Sequence, residues 1–351
     1  MKTVIVTGSA GLVGSEAVRQ FAALGYRVVG IDNNCRRQFF GEGGCTDNTS
    51  AVLHGLCPGY WHVQADIREP DRYSHMFAGY GDQIEAVIHT AAQPSHDWAA
   101  TAPTADFHVN ATGTLNMLEM TRAWCPHAAF VHCSTNKVYG DWPNQLAMHV
   151  HETRFDVPSF PHGFDELTPI DQCTHSLFGC SKLAADVYVQ EYGRYFGMNT
   201  VCFRGGCLTG PGHAGVEQHG FLSYLCKCVV NGTQYKVIGY GGKQVRDNIH
   251  ASDLVRAFVE YVNNPTPGAV YNIGGGPERS CSVLEAIAMA ERLSGRKMTL
   301  EHVAEPRMGD HKWWITDTRK FEAAYPNWRQ EYSLEQTVAE IVEAQQQREV
   351  A

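Results

Sequence analysis

The chain carries 351 residues, with 28 Lys or Arg against 37 Asp or Glu, for a formal net charge of −9. That balance excludes a nucleic-acid surface, which needs a basic stripe to displace counterions, and no apolar run reaches bilayer-spanning length. With 44% hydrophobic residues, the length suits two packed domains with substantial cores.

Met1-Lys2 leads directly into the strand-like Thr3-Val4-Ile5-Val6, so no export signal is expected and the expected compartment is the cytoplasm. Val4–Val6, Arg27–Ile31, His62–Gln64, Ala86–His89, Phe130–Cys133 and Thr200–Phe203 are short apolar runs that predict buried parallel strands. Helical patterns lie between several of them, at Val13–Leu24, Gly113–Ala123 and Lys182–Phe196. This alternation predicts an α/β fold, a doubly wound parallel sheet of Rossmann type over residues 1–204. Beyond Gly205 the rhythm breaks into loops, shorter helices and a few strands. Residues 205–351 read as mainly a smaller C-terminal substrate domain, with room for part of the chain to return to the sheet. The polar stretch Asn144–Thr174 is long for a connection, and such loops are usually functional. The 12 cysteines include no C-x-x-C pair and read as reduced interior thiols, with no metal expected.

Thr7-Gly8-Ser9-Ala10-Gly11-Leu12-Val13-Gly14 follows the first strand and opens the first helix. Gly8 permits a tight turn, Gly11 lets the backbone approach a pyrophosphate, and Gly14 allows close helix–strand packing. The helix N-terminus at Leu12 and Val13 offers free N–H groups and the positive end of the dipole to phosphates. Asp32, followed by Asn33, ends the second strand, where a carboxylate accepts from both adenosine ribose hydroxyls and repels a 2′-phosphate. Arg36 and Arg37 lie beyond the strand end in a loop, so the expected cofactor is NAD rather than NADP. Asp66-Ile67 ends the third strand, where a carboxylate meets the adenine amino group or caps the next helix. Thr90-Ala91-Ala92 ends the fourth, its small side chains leaving room for the nicotinamide half.

These residues resemble the extended short-chain dehydrogenase/reductase family of NAD-dependent nucleotide-sugar epimerases and dehydratases. The resemblance covers nearly the whole chain. It rests on G-x-x-G-x-x-G, Asp32, Asp66-Ile67, His89–Ala92, Asn110-x-x-Gly113-Thr114, Ser134-Thr135, Lys182 and Arg246-Asp247. Within the family, Ser134–Asp141, Gly163–Glu166, Gly179–Lys182 and Gly242–Asp247 are most like epimerases of the CDP-tyvelose (CDP-paratose) type. The resemblance implies that Lys182 binds the nicotinamide ribose and that Thr135 hydrogen-bonds a sugar hydroxyl at the reacting carbon. Arg246 would grip the diphosphate of a nucleotide sugar, and Arg307 and Asp310 would meet its nucleoside. Gln93, Asn136 and Gln218 are further implied substrate contacts. A homodimer built on the helices at Gly113–Ala123 and Lys182–Phe196 is implied as well. Dehydratases resembling this family carry Asp-Glu directly after the threonine, whereas this chain has Asn136-Lys137. Epimerisation through a transient keto-sugar is therefore expected, with a decarboxylase or another epimerase of UDP- or GDP-sugars as the alternative.

One position departs from the family pattern. A lysine four residues after an aromatic shares its helix face, so the ammonium could acidify a phenol there. The family's tyrosine stands at that position, and this chain has Phe178, which cannot ionise. Three accounts stay open: the proton duty has moved, with His96 and His175 the better-placed imidazoles; the tyrosine was replaced to hold a substrate complex; or the protein binds NAD and a nucleotide sugar without turnover.

Overall fold

A computed structural model of the chain describes residues 1–350. The chain clusters into two compact units. One comprises Met1–Val138, Leu177–Arg204 and Leu254–Tyr271, and the other Tyr139–Ser176, Gly205–Asp253 and the chain from Asn272 onward. No helix among the described residues is long and apolar enough to cross a membrane.

In the first unit, β1 (Thr3–Thr7), β2 (Arg27–Asp32), β3 (Tyr60–Gln64), β4 (Ile84–His89) and β5 (Ala129–Thr135) pair in the order β5-β4-β1-β2-β3. All four pairings are parallel. The strands Thr200–Gly205 and Ala269–Ile273 extend the sheet beyond β5 to seven. Every residue of β1 is buried, as a sheet covered on both faces requires. Ile5, Val29, Val87 and Phe130 pack with Met117 and Leu118 of the helix Gly113–Trp124, and with Val189 and Tyr192 of the helix Ser176–Phe196. The strand order reverses between β4 and β2, on either side of β1. In doubly wound sheets that reversal opens a crevice beyond the carboxyl ends of the strands.

Most strands run one or two residues past the apolar runs, into Thr7, Asp32 and Thr135, because backbone pairing rather than hydrophobicity sets where a ladder stops. The helix Ser176–Phe196 starts six residues before its expected beginning at Lys182. Gly179 and Ser181 are weak helix formers that mask this turn in the sequence. Phe178 therefore sits within the first turn.

In the second unit, the strand Val245–His250 pairs parallel with Cys207–Thr209 and Trp313–Trp314 and antiparallel with Ser280–Ser282. Helices Phe221–Asn231, Val283–Ser294 and Leu334–Val350 share a separate apolar cluster with Tyr235 and Val237. A reciprocal cap, Ser282 Oγ accepting from Glu285 N and Glu285 from Ser282 N, starts the second of these helices. The Asn144–Thr174 stretch is partly exposed but anchored by buried residues such as Val157 and Phe164. It carries the antiparallel pair His149–Val150 and Phe155–Asp156, and it buries Phe164 with ring centroids 5.2 Å from Trp313 and 5.0 Å from Trp314.

Candidate functional site

The cofactor side begins where β1 turns into α1 (Leu12–Ala23). Gly8 adopts φ +67°, and a Cβ there would meet Ala91 N at 2.8 Å, so only glycine lets this turn lie against the chain leaving β4. The turn closes through Gly8 N donating to Ile31 O at 2.8 Å and Gly11 N to Gly8 O at 3.0 Å. Gly14 packs its bare Cα against the Gly8 carbonyl, which any side chain would strike. α1 starts at Gly11 with no side-chain cap and no acid in its first turn. Its leading N–H groups, at Leu12 and Val13, face no competing carboxylate and suit a pyrophosphate.

Asp32 ends β2 and accepts from Ala10 N at 3.0 Å and Asn34 N at 2.7 Å, tying the glycine turn to the end of the second strand. Asn33 donates to Asp66 at 2.8 Å, and Arg68 holds the same carboxylate through Nε and a terminal nitrogen at 2.9 and 2.6 Å. Burial works against the charge of Asp66, but Arg68 and Asn33 together hold its pKa below the usual carboxylate value. Ile67 is buried beside it. Thr90 Oγ1 donates to Thr7 O at 2.7 Å, and Ala91 N donates to Thr7 Oγ1 at 3.2 Å, pinning the Thr90–Ala92 segment to β1. Fixed glycine turn, uncapped helix and carboxylate lie together at the carboxyl ends of β1 and β2, an arrangement that fits NAD.

Gln93 has a different task from the substrate contact expected of it. It is fully buried, donating to Ser95 O at 2.8 Å and Asp106 at 2.7 Å, and accepting from Ser95 N. Asn110 completes this network by donating to Gln93 O, Asp106 and Ser181 Oγ, each at 3.0 Å. Burial raises the pKa of Asp106. The motif Asn110-x-x-Gly113 was visible in sequence, but its partners Asp106 and Ser181 were not.

At the other end, Lys182 Nζ is buried and donates to Cys133 O at 2.9 Å, with His132 Nε2 3.3 Å away. Burial lowers its pKa. Beneath it the rings of His132 and His89 stack with centroids 5.4 Å apart. Burial and the Lys182 charge push His89 down to about 3 and His132 well below its ordinary value, so both imidazoles are neutral. His89 is held by Thr7 and Thr114 at 2.7 and 2.9 Å. A neutral pair below the lysine leaves it the local cation, with a third N–H to offer. Thr135 lies at the end of β5 and accepts from Lys137 N at 3.2 Å, beside the buried Asn136. Ser134 donates to the buried Asp186 at 2.6 Å, and Arg204 grips that carboxylate at 2.7 and 3.1 Å. This anchor, which sequence reasoning missed, was foreshadowed by Asp186 lying one helical turn beyond Lys182. Phe178 is buried, and its ring lies 5.0 Å from that of His96 at an interplanar angle of 62°.

Within the second unit, Arg246 donates to Asp310 at 2.5 Å and to Val245 O at 2.7 Å. Its ion-pair partner is thus Asp310 rather than the adjacent Asp247. Arg307 donates to Glu217 O at 2.9 Å, next to the exposed Gln218. His175, by contrast, is bound to Ile170 O at 2.6 Å within its own loop.

Asp247 is fully buried and accepts from Gly276 N and Thr316 N, both at 3.1 Å. Burial pushes its pKa up to about 6. The folded protein therefore keeps this proton where the unfolded chain has already released it. Stability from this group is fully present below about pH 4 and is lost as pH rises to about 6, by about 3 kcal/mol. Asp247→Asn is expected to raise the melting temperature at pH 8 and to change it little at pH 4. Equal shifts at both pH values would contradict this.

A parallel sheet with a glycine turn, an uncapped helix and a carboxylate ending the second strand at its order reversal defines a dinucleotide-binding enzyme fold. The NAD dependent epimerase/dehydratase family matches residues 4–274, and the chain belongs to that family. NAD is its cofactor. The CDP-paratose 2-epimerase of Salmonella typhi is 32% identical over 328 residues, covering 91% of this chain and 92% of that protein. The UDP-glucose 4-epimerase of Thermus thermophilus, solved in complex with NAD, superposes with a TM-score of 0.77 at 23% identity over 98% of both chains. A tyrosine-to-phenylalanine variant of UDP-glucuronic acid 4-epimerase from Bacillus cereus, in complex with UDP-4-deoxy-4-fluoro-glucuronic acid and NAD, superposes with a TM-score of 0.78. It is 24% identical, with 99% of both chains covered.

Proposed function

We propose that the protein epimerises a CDP-activated sugar through a transient keto-sugar. The observation that carries this reading is the end of β5, where Thr135 is followed by Asn136-Lys137. No carboxylate stands there to abstract a second ring proton, so elimination of water lacks its base. Oxidation and reduction at one carbon need none. The identity to CDP-paratose 2-epimerase across nine-tenths of the chain supports the same choice.

NAD, when bound, would supply a reversible hydride acceptor at the reacting carbon. Gly8, Gly11 and Gly14, with Leu12 and Val13, hold its pyrophosphate, and Asp32 with Asn33 its adenosine ribose. Asp66 and Ile67 border the adenine, and Thr90, Ala91 and Ala92 border the nicotinamide half. Lys182 offers its remaining N–H to the nicotinamide ribose and keeps positive charge beside the reacting hydroxyl. Thr135 orients that hydroxyl, with Asn136 next to it. Arg246, steadied by Asp310, presents a fork suited to paired phosphate oxygens. Arg307 and Gln218 serve the nucleoside.

Leu177, Ala184, Tyr188 and Tyr195 form a stripe at helical spacing on Ser176–Phe196, and Leu177, Tyr188 and Tyr195 are exposed. Trp124 is exposed at the end of Gly113–Trp124. These surfaces support a homodimer, and light scattering that returns the monomer mass at micromolar concentration removes that claim. A cytoplasmic enzyme is the matching assignment.

Phe178 favours one second reading, a protein that binds NAD and a nucleotide sugar without turnover. The Bacillus cereus variant was solved with both ligands present, so in that protein phenylalanine is compatible with binding. The discriminating experiment follows reduced-nicotinamide absorbance and deuterium scrambling at a ring carbon with CDP-, UDP- and GDP-sugars. Epimerisation predicts exchange with a CDP-sugar. Binding of every sugar without exchange places the silent reading ahead.

A further inference from the structure

Given the epimerase reading, on which this inference rests, a group other than residue 178 must take the hydroxyl proton. Several other ionisable groups have fixed partners or depressed reactivity. Tyr139 is fully buried, and its hydroxyl donates to Asn272 at 2.7 Å. His175 is bound to a carbonyl of its own loop. Burial raises the Cys180 thiol, and it pushes the Cys133 thiol up to about 11, so neither is a ready base near neutrality. Lys182 spends two N–H groups on Cys133 O and His132.

His96 is set apart by its position against Phe178. Its ring packs against Phe178, edge to face with centroids 5.0 Å apart, at the helix position the family gives to its tyrosine. It is half-buried. The segment that carries it is held by neighbouring hydrogen bonds. Ser95 caps the helix His96–Thr101 by accepting from Trp98 N at 3.2 Å. Gln93 clamps Ser95 from both sides through its amide. Asn110 then joins Gln93 to Ser181, whose hydroxyl donates to Phe178 O at 3.0 Å. One buried network thus holds the segment that carries His96 and the helix turn that carries Phe178. An imidazole in a fixed relation to the vacated phenol position can do what the phenol did, because its ordinary titration lies near neutrality.

We propose that His96 is the acid/base group of this enzyme, taking the sugar hydroxyl proton on oxidation and returning it on reduction. As the C–H electron pair leaves as hydride to the cofactor, the O–H bond breaks, its proton bonds to an imidazole nitrogen and the oxygen closes a C=O bond. In the return step the imidazolium protonates that oxygen as hydride re-adds to the opposite face of the carbon. No outside oxidant or reductant is consumed. Phe178 acts as the packing wall that positions the imidazole.

The test uses the NAD-loaded protein with CDP-, UDP- and GDP-sugars and five chains: parent, His96→Gln, Phe178→Tyr, the double variant and His96→Ala. Calorimetric binding is the second readout. His96→Gln is expected to lose about a hundred- to ten-thousandfold in hydride exchange with sugar-nucleotide affinity and melting temperature retained. Phe178→Tyr in that background is expected to restore exchange, and free imidazole is expected to rescue His96→Ala in part. Exchange at the parental rate in His96→Gln overturns the proposal, as does loss of affinity in step with exchange, which marks a substrate contact. Exchange in Phe178→Tyr but not in the parent overturns the role of His96 and leaves the epimerase reading standing. Silence in both parent and Phe178→Tyr fails the epimerase reading itself, and this proposal with it.

Discussion

Lys182→Met is expected to slow hydride exchange by about a hundred- to ten-thousandfold while leaving the melting temperature unchanged or higher. The side chain is fully enclosed, and burial already works against its charge. Methionine matches its length, fits a helix and removes the cost of keeping an ammonium out of water. The two groups it leaves, Cys133 O and His132 Nε2, lose one hydrogen bond each. Function suffers more, because the stacked His132 and His89 are neutral and no neighbouring imidazolium replaces the lost charge. The effect is expected on kcat more than on KM, since the charge acts on the oxygen as its proton leaves. A variant that retains the parental kcat, or that fails to fold, contradicts this account.

Arg204→Met is expected to destabilise the fold by about 3–5 kcal/mol, read from denaturant unfolding. Arg204 is 7% exposed and Asp186 fully buried, so water screens neither charge. The guanidinium, Ser134 and Gln190 together hold the Asp186 carboxylate below its ordinary pKa against its burial. Removing only the cation strands an anion in the core. Asp186→Asn added to Arg204→Met is expected to recover part of the loss, because the stranded charge is gone. The single variant should also lose exchange activity, since Ser134 positions Thr135 through the same carboxylate. An unfolding midpoint equal to the parent's would exclude the anchor.

The cofactor half of the site could be read before any coordinates, and the reason is local. Gly8, Gly11, Gly14 and Asp32 lie within one β-α-β stretch, where chain geometry turns sequence spacing directly into spatial arrangement. Period and apolarity likewise exposed the first six strands of the sheet. The strand Ala269–Ile273 carried no comparable mark, because Asn272 interrupts its apolar run and its place beside Thr200–Gly205 depends on pairing across more than sixty residues.

The long-range side-chain partnerships were decided by tertiary structure. Gln93 looked like a ligand-facing residue at a strand end, yet packing turns it inward to clamp Ser95. Arg246 had Asp247 beside it in sequence, but alternation along a strand sends neighbours to opposite faces, and Asp310 became its partner. His96 and Phe178 are 82 positions apart, and the fold, with the Asn110–Ser181 network joining their segments, brings their rings together. The sequence by itself determined the fold and the cofactor, and it places a phenylalanine, which cannot ionise, at position 178, because each rests on residue type and short spacing. Which imidazole stands beside that position was settled by packing, since burial and hydrogen bonding over long chain separations select one geometry from many the spacing allows.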